Sequence, residues 1–404
     1  MYKEKLVAAY GLPLEVKFCK RCVISNQRPS SVVEFKNKAA DNKPTIAFDE
    51  EGVCAACRYA EQKEKINWMD REKELVELCD RYRSKDGSYD CIVPGSGGKD
   101  SSFTAHVLKF KYGMNPLTVT WAPHMYTEVG WQNFQHWISS GLDNMLYSPN
   151  GKIHRFLTKL AFINLVNPFQ IFAIGQKLSG PRFSLLYHVP LVFYGENQAE
   201  YGNNIVENAR PTMDMSFFIN ASRKLNEIYL GGISAKELIE KHGVVLNDLN
   251  PYLPLDPDRL KETSTQVHYL GYYLKWDPQE CFYYAAEHTG FQANSERTEG
   301  SYSKYSSVDD RLDPLHYYTT LIKFGIGRAT YDAAQEIRNG KINRDEGVTL
   351  VRRYDAEFPA KYFKEILEYL DISEGKFWEV IEKARPAHLW EKRGGKWTLK
   401  YQVS

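Results

Sequence analysis

The sequence lacks the long apolar run of a membrane-spanning helix, because none of its 404 residues lies in a stretch approaching about 20 consecutive apolar residues. No apolar segment follows the first residues, so we expect no secretory signal, no membrane partner and a cytoplasmic location. Net charge is also nearly absent, since 52 Lys and Arg face 51 Asp and Glu and leave +1. This balance argues against a broadly basic nucleic-acid partner, although it permits a local basic patch. The 43% hydrophobic content excludes a disordered chain.

Cysteine is sparse, and four of the 7 cysteines form two pairs with a two-residue gap, Cys19/Cys22 and Cys54/Cys57. This gap lets both sulfurs of a pair reach one ion, and four thiolates make a closed tetrahedral zinc site. The 31 residues between the pairs are more than the commonest spacing has. An iron–sulfur cluster, a redox pair and chance are the alternatives, and a redox pair would lie beside a strand. We expect structural Zn²⁺. The other three cysteines are scattered, as in a reducing compartment.

Hydrophobic periodicity predicts a helix over 70–83, followed by strands that alternate with helices. The predicted strands are 89–93, 117–121, 144–147 and 191–194, and the predicted helices between them are 101–112, 128–140 and 152–166. Such alternation is typical of βαβ units on a parallel sheet, so the expected class is α/β with helices on both faces of the sheet.

The pattern changes at Asn250–Asp258, which holds three prolines and is typical of a linker or a domain edge. Helix-start signals follow at Asp277, Asn343 and Ser373. We therefore predict an N-terminal zinc-binding module over 1–69, the sheet domain over 70–250 and a mostly helical C-terminal region over 251–404. A homo-oligomer is compatible with this organisation.

A glycine-rich turn between the first predicted strand and helix, Pro94-Gly-Ser-Gly-Gly-Lys-Asp-Ser101, is the most informative motif. Gly95, Gly97 and Gly98 let the backbone approach a phosphate, and the helix N-terminus directs amides at it. Ser96 and Ser101 add hydroxyl groups, Lys99 adds positive charge, and Asp100 suits a phosphate-bound Mg²⁺. The lysine is followed by aspartate, so this is not a Walker A loop.

Two further loops are expected at the same edge, because ligands of open α/β sheets bind outside the carboxyl ends of the strands. Thr120 and Trp121 open the first loop, which is placed for adenine and ribose, and His124 within it is a weak candidate base. The second loop carries Glu196, Asn197 and Glu200. Glu196 or Glu200 could deprotonate a nucleophile or bind Mg²⁺, and a solvated polar loop is the alternative.

The segment Ser96-Gly-Gly-Lys-Asp-Ser101 resembles the loop of the PP-loop ATP pyrophosphatases, which have an adenine nucleotide alpha hydrolase-like fold. That resemblance implies binding of the β,γ-phosphates of ATP, release of AMP and pyrophosphate, and adenylation of a carbonyl-type oxygen. An ordinary glycine-rich turn is the alternative. The superfamily includes tRNA thiolases, but the near-zero net charge fits a tRNA enzyme badly. The sequence has no Gly-x-Cys-x-Gly elbow of a glutaminase, so any ammonia must be free or delivered by another subunit.

The whole chain from Cys19 onward resembles the N-acetyl sugar amidotransferase family of bacterial surface-polysaccharide biosynthesis. The cysteine pairs and the glycine loop carry the resemblance, together with Thr-Trp-Ala-Pro-His, Tyr-Gly-Glu-Asn, Arg-Thr-Glu-Gly-Ser-Tyr and Phe-Gly-Ile-Gly-Arg-Ala-Thr-Tyr. It implies an ATP-dependent C–N bond-forming ligase that converts an acetamido group of a nucleotide-activated sugar into an acetamidino group. Ammonia would come from a partner pair resembling the glutaminase and cyclase subunits of imidazole glycerol phosphate synthase.

Within that reaction we expect Lys99, Asp100, Glu196 and Glu200 to be catalytic, with Glu196 the first candidate to take a proton from ammonia. Asn197 or Glu200 would orient the sugar. Arg297 and Arg328 could bind the substrate's phosphates or a sugar carboxylate, or could equally form surface salt bridges. Asp309 and Asp310 are expected in a solvated turn. A PP-loop tRNA-modifying enzyme and a non-catalytic zinc and nucleotide-binding adaptor are the alternative functions.

Overall fold

The computed structural model describes residues 9–38, 41–203, 209–220, 222 and 224–404. Its strands are β1 (Cys91–Pro94), β2 (Pro116–Trp121), β3 (Asp143–Tyr147), β4 (Leu191–Tyr194), β5 (Tyr229–Leu230), β6 (Ile233–Ser234), β7 (Gln266–Tyr269), β8 (Trp390–Arg393) and β9 (Lys396–Leu399). The α-helices of the N-terminal and central parts are α1 (Ala55–Lys63), α2 (Trp68–Tyr82), α3 (Lys99–Phe110), α4 (Glu128–Ser139), α5 (Gly151–Leu165), α6 (Gln170–Tyr187), α7 (Ala235–His242), α8 (Leu246–Leu249), α9 (Pro257–Glu262) and α10 (Leu270–Tyr273). Those that follow are α11 (Pro278–Thr289), α12 (Asp313–Phe324), α13 (Arg328–Arg338), α14 (Arg344–Tyr354), α15 (Phe363–Leu370) and α16 (Glu374–Ala384).

Five parallel strands form the central sheet in the order β3-β2-β1-β4-β7. Every residue of β1 and β2 is buried, as expected of strands covered by helices on both faces, whereas the edge strand β3 is largely exposed. The chain leaves β1 toward β2 on one side and later returns to β4 on the other. The strand order therefore reverses between β1 and β4, where the carboxyl ends of the strands leave a crevice for ligands.

Alternate residues of the strands enter two separate cores. Cys91 and Val93 of β1 pack with α2, α3 and α4, while Ile92 points into the core formed with α5 and α6. The α/β class with a parallel sheet between helical layers is thereby confirmed, and each predicted strand or helix around the sheet occurs with its ends within two residues. Among the described helices, none combines the length and apolar character needed to cross a bilayer.

The sheet extends beyond the predicted domain boundary at residue 250. Strand β7 pairs with β4, so the unit that forms the sheet continues to Tyr269. The proline-rich segment 250–258 is not an exposed linker, because Tyr252 and Leu255 are buried in the core beneath α6.

The C-terminal region is mostly helical and packs against the N-terminal module. A shared core joins this region to the four paired cysteines. Its members from the C-terminal region include Ile326 in the turn before α13, Ala333 of α13 and Val348 of α14. His388 and Gln27 are in hydrogen-bond contact at 3.1 Å, which joins the two parts of the chain a second time. Segments far apart in sequence therefore converge around the carboxyl edge of the sheet.

Candidate active site

The two cysteine pairs meet in one buried cluster. All four Sγ atoms lie within 4.8 Å of one another, and the separations are 3.8 Å for Cys19–Cys57 and 3.7 Å for Cys22–Cys54. A tetrahedral zinc with bonds of about 2.3 Å separates its sulfurs by about 3.8 Å, so a single ion fits the cluster. A multi-iron cluster would hold the sulfurs farther apart. Backbone amides of Arg21, Cys22 and Cys54 donate to the Cys19 sulfur at 3.3–3.5 Å, as expected around a thiolate.

The glycine loop, residues 94–101, follows β1 directly and is held close to its neighbours. A Cβ at Gly95 would lie 2.2 Å from Cβ of Ser101, and a Cβ at Gly97 would lie 2.8 Å from Cα of Phe134. Gly97 also has φ +84°, a left-handed conformation that favours glycine. Helix α3 begins at Lys99, two residues before the predicted start, with Gly98 as its N-cap. The first-turn residues of α3 line a cavity, which presents a helix N-terminus to an anionic ligand.

Lys99 and Asp100 form an ion pair in this loop, with Nζ 2.5 Å from Oδ2. Burial alone would lower the pKa of Lys99, but the adjacent Asp100 carboxylate raises it above its ordinary value, so the ammonium stays charged. The Lys99 side chain is 12% exposed and that of Asp100 is 34% exposed. The aspartate is therefore the more accessible partner for a ligand or a metal ion.

The prediction that Asp309 and Asp310 lie in a solvated turn is wrong. Asp309 accepts a hydrogen bond from Ser96 Oγ at 2.7 Å, so the C-terminal region contacts the glycine loop directly. Burial raises the pKa of Asp309, while the Ser96 hydroxyl opposes the shift. Asp310 is 4% exposed and accepts from the backbone amides of His124 and Leu312 at 2.7 and 2.9 Å. Asp310 is therefore buried and Asp309 half-buried, and both carboxylates are hydrogen-bonded within the protein.

His124 pairs with that same aspartate, with Nδ1 2.7 Å from Oδ2 of Asp310. Its position before α4 is thereby fixed to the C-terminal region. Trp121, at the end of β2, borders the cavity, while its ring packs in the core against Gly175 of α6. Thr120 does not line it, because its side chain points into the sheet and accepts from Asn144 Nδ2 at 2.9 Å.

The loop after β4 separates its three predicted site residues. Glu196 lines the cavity and accepts a hydrogen bond from the Tyr201 hydroxyl at 2.6 Å. Burial, with the nearby Asp100 carboxylate, raises the pKa of Glu196 above its ordinary value. Asn197 is fully buried, caps a short turn and donates to the Tyr59 hydroxyl at 3.1 Å.

Glu200 is also buried away from the cavity lining. Its carboxylate lies 2.7 Å from Nζ of Lys63, and both side chains are less than a tenth exposed. Burial raises the pKa of Glu200, and Lys63 opposes the shift. Both Glu200 and Asn197 thus hold the loop in place, whereas Glu196 alone of the three can meet a ligand in the cavity.

The two predicted arginines also differ in position. Arg328 lines the cavity, where its guanidinium lies 3.0 Å from Asp332 and over the ring of Tyr317. Arg297 does not line it, because both terminal nitrogens bind Glu357 at 2.6 Å in a bidentate ion pair. Of the two roles considered for Arg297, the structure shows the salt bridge.

The cavity itself has a volume of about 710 Å³ and is built from all three parts of the chain. The N-terminal module contributes Arg28 and Lys43, the sheet edge contributes the glycine loop and Glu196, and the C-terminal region contributes Asp309 through Arg328. A volume near this size accommodates a large ligand or two smaller ones side by side.

Five basic lining residues were missed by sequence reasoning, namely Arg28, Lys43, Lys177, Lys323 and Lys341. The first two lie in irregular segments, where no periodicity marks them. Lys323 could have been found from the sequence, because polar residues recur at helical spacing at His316, Thr320 and Lys323. All three line the cavity. A polar series on a buried helix face indicates a site that such a helix borders.

Residues 299–403 match a family model described as LPS biosynthesis protein WbpG-like, C-terminal domain. The matched segment is about a quarter of the 404-residue chain and supplies Asp309, Lys323 and Arg328 to the cavity. The chain is also 34% identical over 77 residues to an uncharacterized protein, MJ1599, of Methanocaldococcus jannaschii. That alignment covers 19% of this chain and 27% of the relative. The WbpG-like domain supports a role for this chain in polysaccharide biosynthesis.

Proposed function

We propose that the chain is an ATP-dependent amidotransferase that converts an acetamido group of a nucleotide-activated sugar into an acetamidino group during bacterial surface-polysaccharide biosynthesis. One observation carries the proposal. The glycine loop, which resembles the PP-loop of ATP pyrophosphatases, opens into the same 710 Å³ cavity as the segment that matches the LPS biosynthesis family model. The loop that we assign to ATP and the segment that matches the polysaccharide-biosynthesis family model thus line one cavity.

The loop residues are suited to the triphosphate of ATP. The first turn of α3 offers unpaired amides, and the charged Lys99 ammonium neutralises phosphate oxygens. Asp100, the more exposed partner of that lysine, is the residue we assign to phosphate-bound Mg²⁺. The metal would draw charge from the leaving pyrophosphate. The end of β2 at Trp121 borders the cavity and is where we place the adenine.

The reaction balances in two steps. The acetamido oxygen attacks the α-phosphorus of ATP, pyrophosphate leaves, and the amide N–H proton is lost to give an O-adenylyl imidate. Ammonia then attacks the imidate carbon, and AMP leaves with the former amide oxygen. The adenylation is needed because an amide carbon is a poor electrophile and its oxygen a poor leaving group.

Glu196 is our candidate for the proton that ammonia loses. It borders the cavity near Asp100, and its raised pKa brings it closer to the operating pH of a general base. The Tyr201 hydroxyl holds one carboxylate oxygen, which leaves the other for the incoming nitrogen. Ammonia would be supplied by partner subunits resembling a glutaminase and a cyclase.

The test is AMP formation from ATP by the purified protein with ammonium and a panel of UDP-N-acetyl sugars. We expect AMP and pyrophosphate only when both co-substrates are present, and ¹⁸O placed in the acetamido group should appear in AMP. Asp100→Asn should abolish turnover, while Arg297→Gln, outside the cavity, should retain it. AMP formation stimulated by tRNA and indifferent to sugar nucleotides would refute the proposal. Full pathway function of Asp100→Asn in cells would instead favour the adaptor.

A further inference from the structure

Lys323 lines the cavity with a buried amino group. The residue is 4% exposed, and its Nζ donates at 3.0 Å to the backbone carbonyl of Leu165. Within the described ranges, no aspartate or glutamate comes within ion-pair distance of this ammonium. Burial lowers its pKa well below the ordinary value, so the site is costly for the folded protein as it stands.

A second lysine, Lys43 of the N-terminal module, and His316 line the same cavity. The charge of Lys43 lowers the pKa of Lys323 further, and Glu34 opposes this shift with a weaker effect. His316, seven residues before Lys323 on α12, has a buried Nδ1 without a hydrogen-bond partner in the described structure. Burial and the charge of Lys323 lower the pKa of His316 to about 3, so its ring is neutral.

The charged groups around Lys323 differ from those around the glycine loop, because Asp100 acts most on Lys99, whereas Lys43 and Glu34 act on Lys323. Of the basic residues that line the cavity, Lys99, Arg328 and Lys341 each have a carboxylate within ion-pair distance. Within the described structure, neither Lys43 nor Lys323 has one, so this part of the cavity suits a ligand with more than one negative charge.

We propose that Lys323, Lys43 and His316 form a subsite for the diphosphate of the second substrate, the nucleotide-activated sugar. The two ammonium groups bind separate phosphate oxygens, and His316 donates through Nδ1 in the tautomer that carries its proton there. The subsite rests on the proposed function, because it takes that reaction's sugar nucleotide as its ligand. It also gives the N-terminal module a direct part in substrate binding through Lys43.

The test compares Lys323→Met and Lys43→Met with wild-type protein by calorimetric titration of UDP and, separately, ATP. Loss of one charge-assisted contact should weaken UDP binding about 10- to 100-fold, while ATP affinity stays within about twofold. Lys159→Met is the matched control, because this lysine also donates to a carbonyl but lies outside the cavity. Lys323→Arg should recover part of the UDP affinity.

Thermal unfolding of the same proteins separates binding from folding. Lys323→Met removes a buried, unneutralised charge, so we expect an unfolding temperature equal to or above that of the wild type. Unchanged UDP binding in both variants would overturn the subsite, as would equal losses of UDP and ATP affinity or a wild type that binds ATP but not UDP. Lysine-dependent UDP binding without any acetamidino product would retain the subsite and refute the reaction.

Discussion

Gly97 tests the geometry of the glycine loop, because an added methyl group would meet the backbone of α4. The Cβ of an alanine would lie 2.8 Å from Cα of Phe134 and 3.0 Å from the carbonyl oxygen of Asn133. Ordinary contacts between carbons are about 3.5–4.0 Å, so the loop and the helix must separate by about 1 Å. A helix backbone cannot rotate away as a flexible side chain does.

The expected penalty follows from two contributions. A non-glycine residue at φ +84° costs about 1–2 kcal/mol, and overpacking adds about 1–3 kcal/mol. Gly98 is the matched control, because it has negative φ and an added Cβ would meet only Ser96 Oγ at 3.7 Å. As an N-cap it loses about 0.5–1 kcal/mol on substitution by alanine.

Denaturant unfolding without ligands measures both variants. Gly97→Ala should lower the free energy of unfolding by at least about 2 kcal/mol, and Gly98→Ala by no more than about 1 kcal/mol. Gly97→Ala should also weaken ATP binding, because the displaced loop no longer presents its amides in register. Equal unfolding midpoints for the two variants would refute the close approach of the loop to α4.

Three further predictions use the same unfolding assay. Purified protein should contain about one zinc ion per chain, and Cys54→Ala should lose both zinc and stability. The control is Cys79→Ala, because this buried cysteine lies outside the cluster and its loss should leave the zinc in place. Zinc retained by Cys54→Ala would contradict the site. Lys63→Met leaves Glu200 buried without its cation and should cost about 3–5 kcal/mol, which a second change, Glu200→Leu, should largely restore; a neutral Lys63→Met would contradict the pair. Burial raises the pKa of Asp313 to about 7, above its unfolded value of about 3.9. Its stabilising contribution is therefore present below about pH 4 and lost as pH rises through about 7, so Asp313→Asn should flatten the decline in unfolding free energy between about pH 4 and 7; an unchanged profile would contradict the shift.

The sequence predicted those parts of the fold that local patterns determine. Strand β1 is a run of four buried residues before a glycine turn, and both the strand and the loop could be identified without knowledge of their neighbours. The caps at Asp277, Asn343 and Ser373 were found for the same reason, since each side chain accepts from an amide two or three residues ahead.

Helix α6 was missed because its sequence contains residues that normally interrupt helices. Gly175, Gly180 and Pro181 all lie within it. A Cβ at Gly175 would lie 2.1 Å from the Trp121 ring, and one at Gly180 would lie 2.7 Å from Pro94. The glycines thus allow the helix to approach the sheet beneath the ligand cavity, and this packing is not visible in local propensity.

Most of the cavity-lining residues that the sequence predicted lie on the sheet edge, and Arg328 of the C-terminal region is the exception. Asp309 and Lys323 reach the cavity from the C-terminal region, more than 200 residues after the glycine loop. Their roles depend on tertiary contacts, such as that of Asp309 with Ser96, which no spacing rule encodes. Conversely, Asn197 and Glu200 lie on a loop that borders the cavity, but their side chains point away from it toward Tyr59 and Lys63. Neighbouring residues of one loop point to different sides, and the sequence does not show which.

Helix α1 connects the cysteine cluster to the loop that carries Glu196. Cys57 of the cluster lies on this helix, and Lys63 at its last residue pairs with Glu200. Between them, the Tyr59 hydroxyl accepts from Asn197, and Gly202 lies so close to the helix that a Cβ there would be 2.9 Å from the Ala56 nitrogen. A metal that fixes one end of α1 therefore also fixes the β4 loop, although no cysteine lines the cavity. Loss of the metal should therefore disturb Glu196, the residue assigned to proton transfer. The glycine loop should be affected less, because it packs against α4.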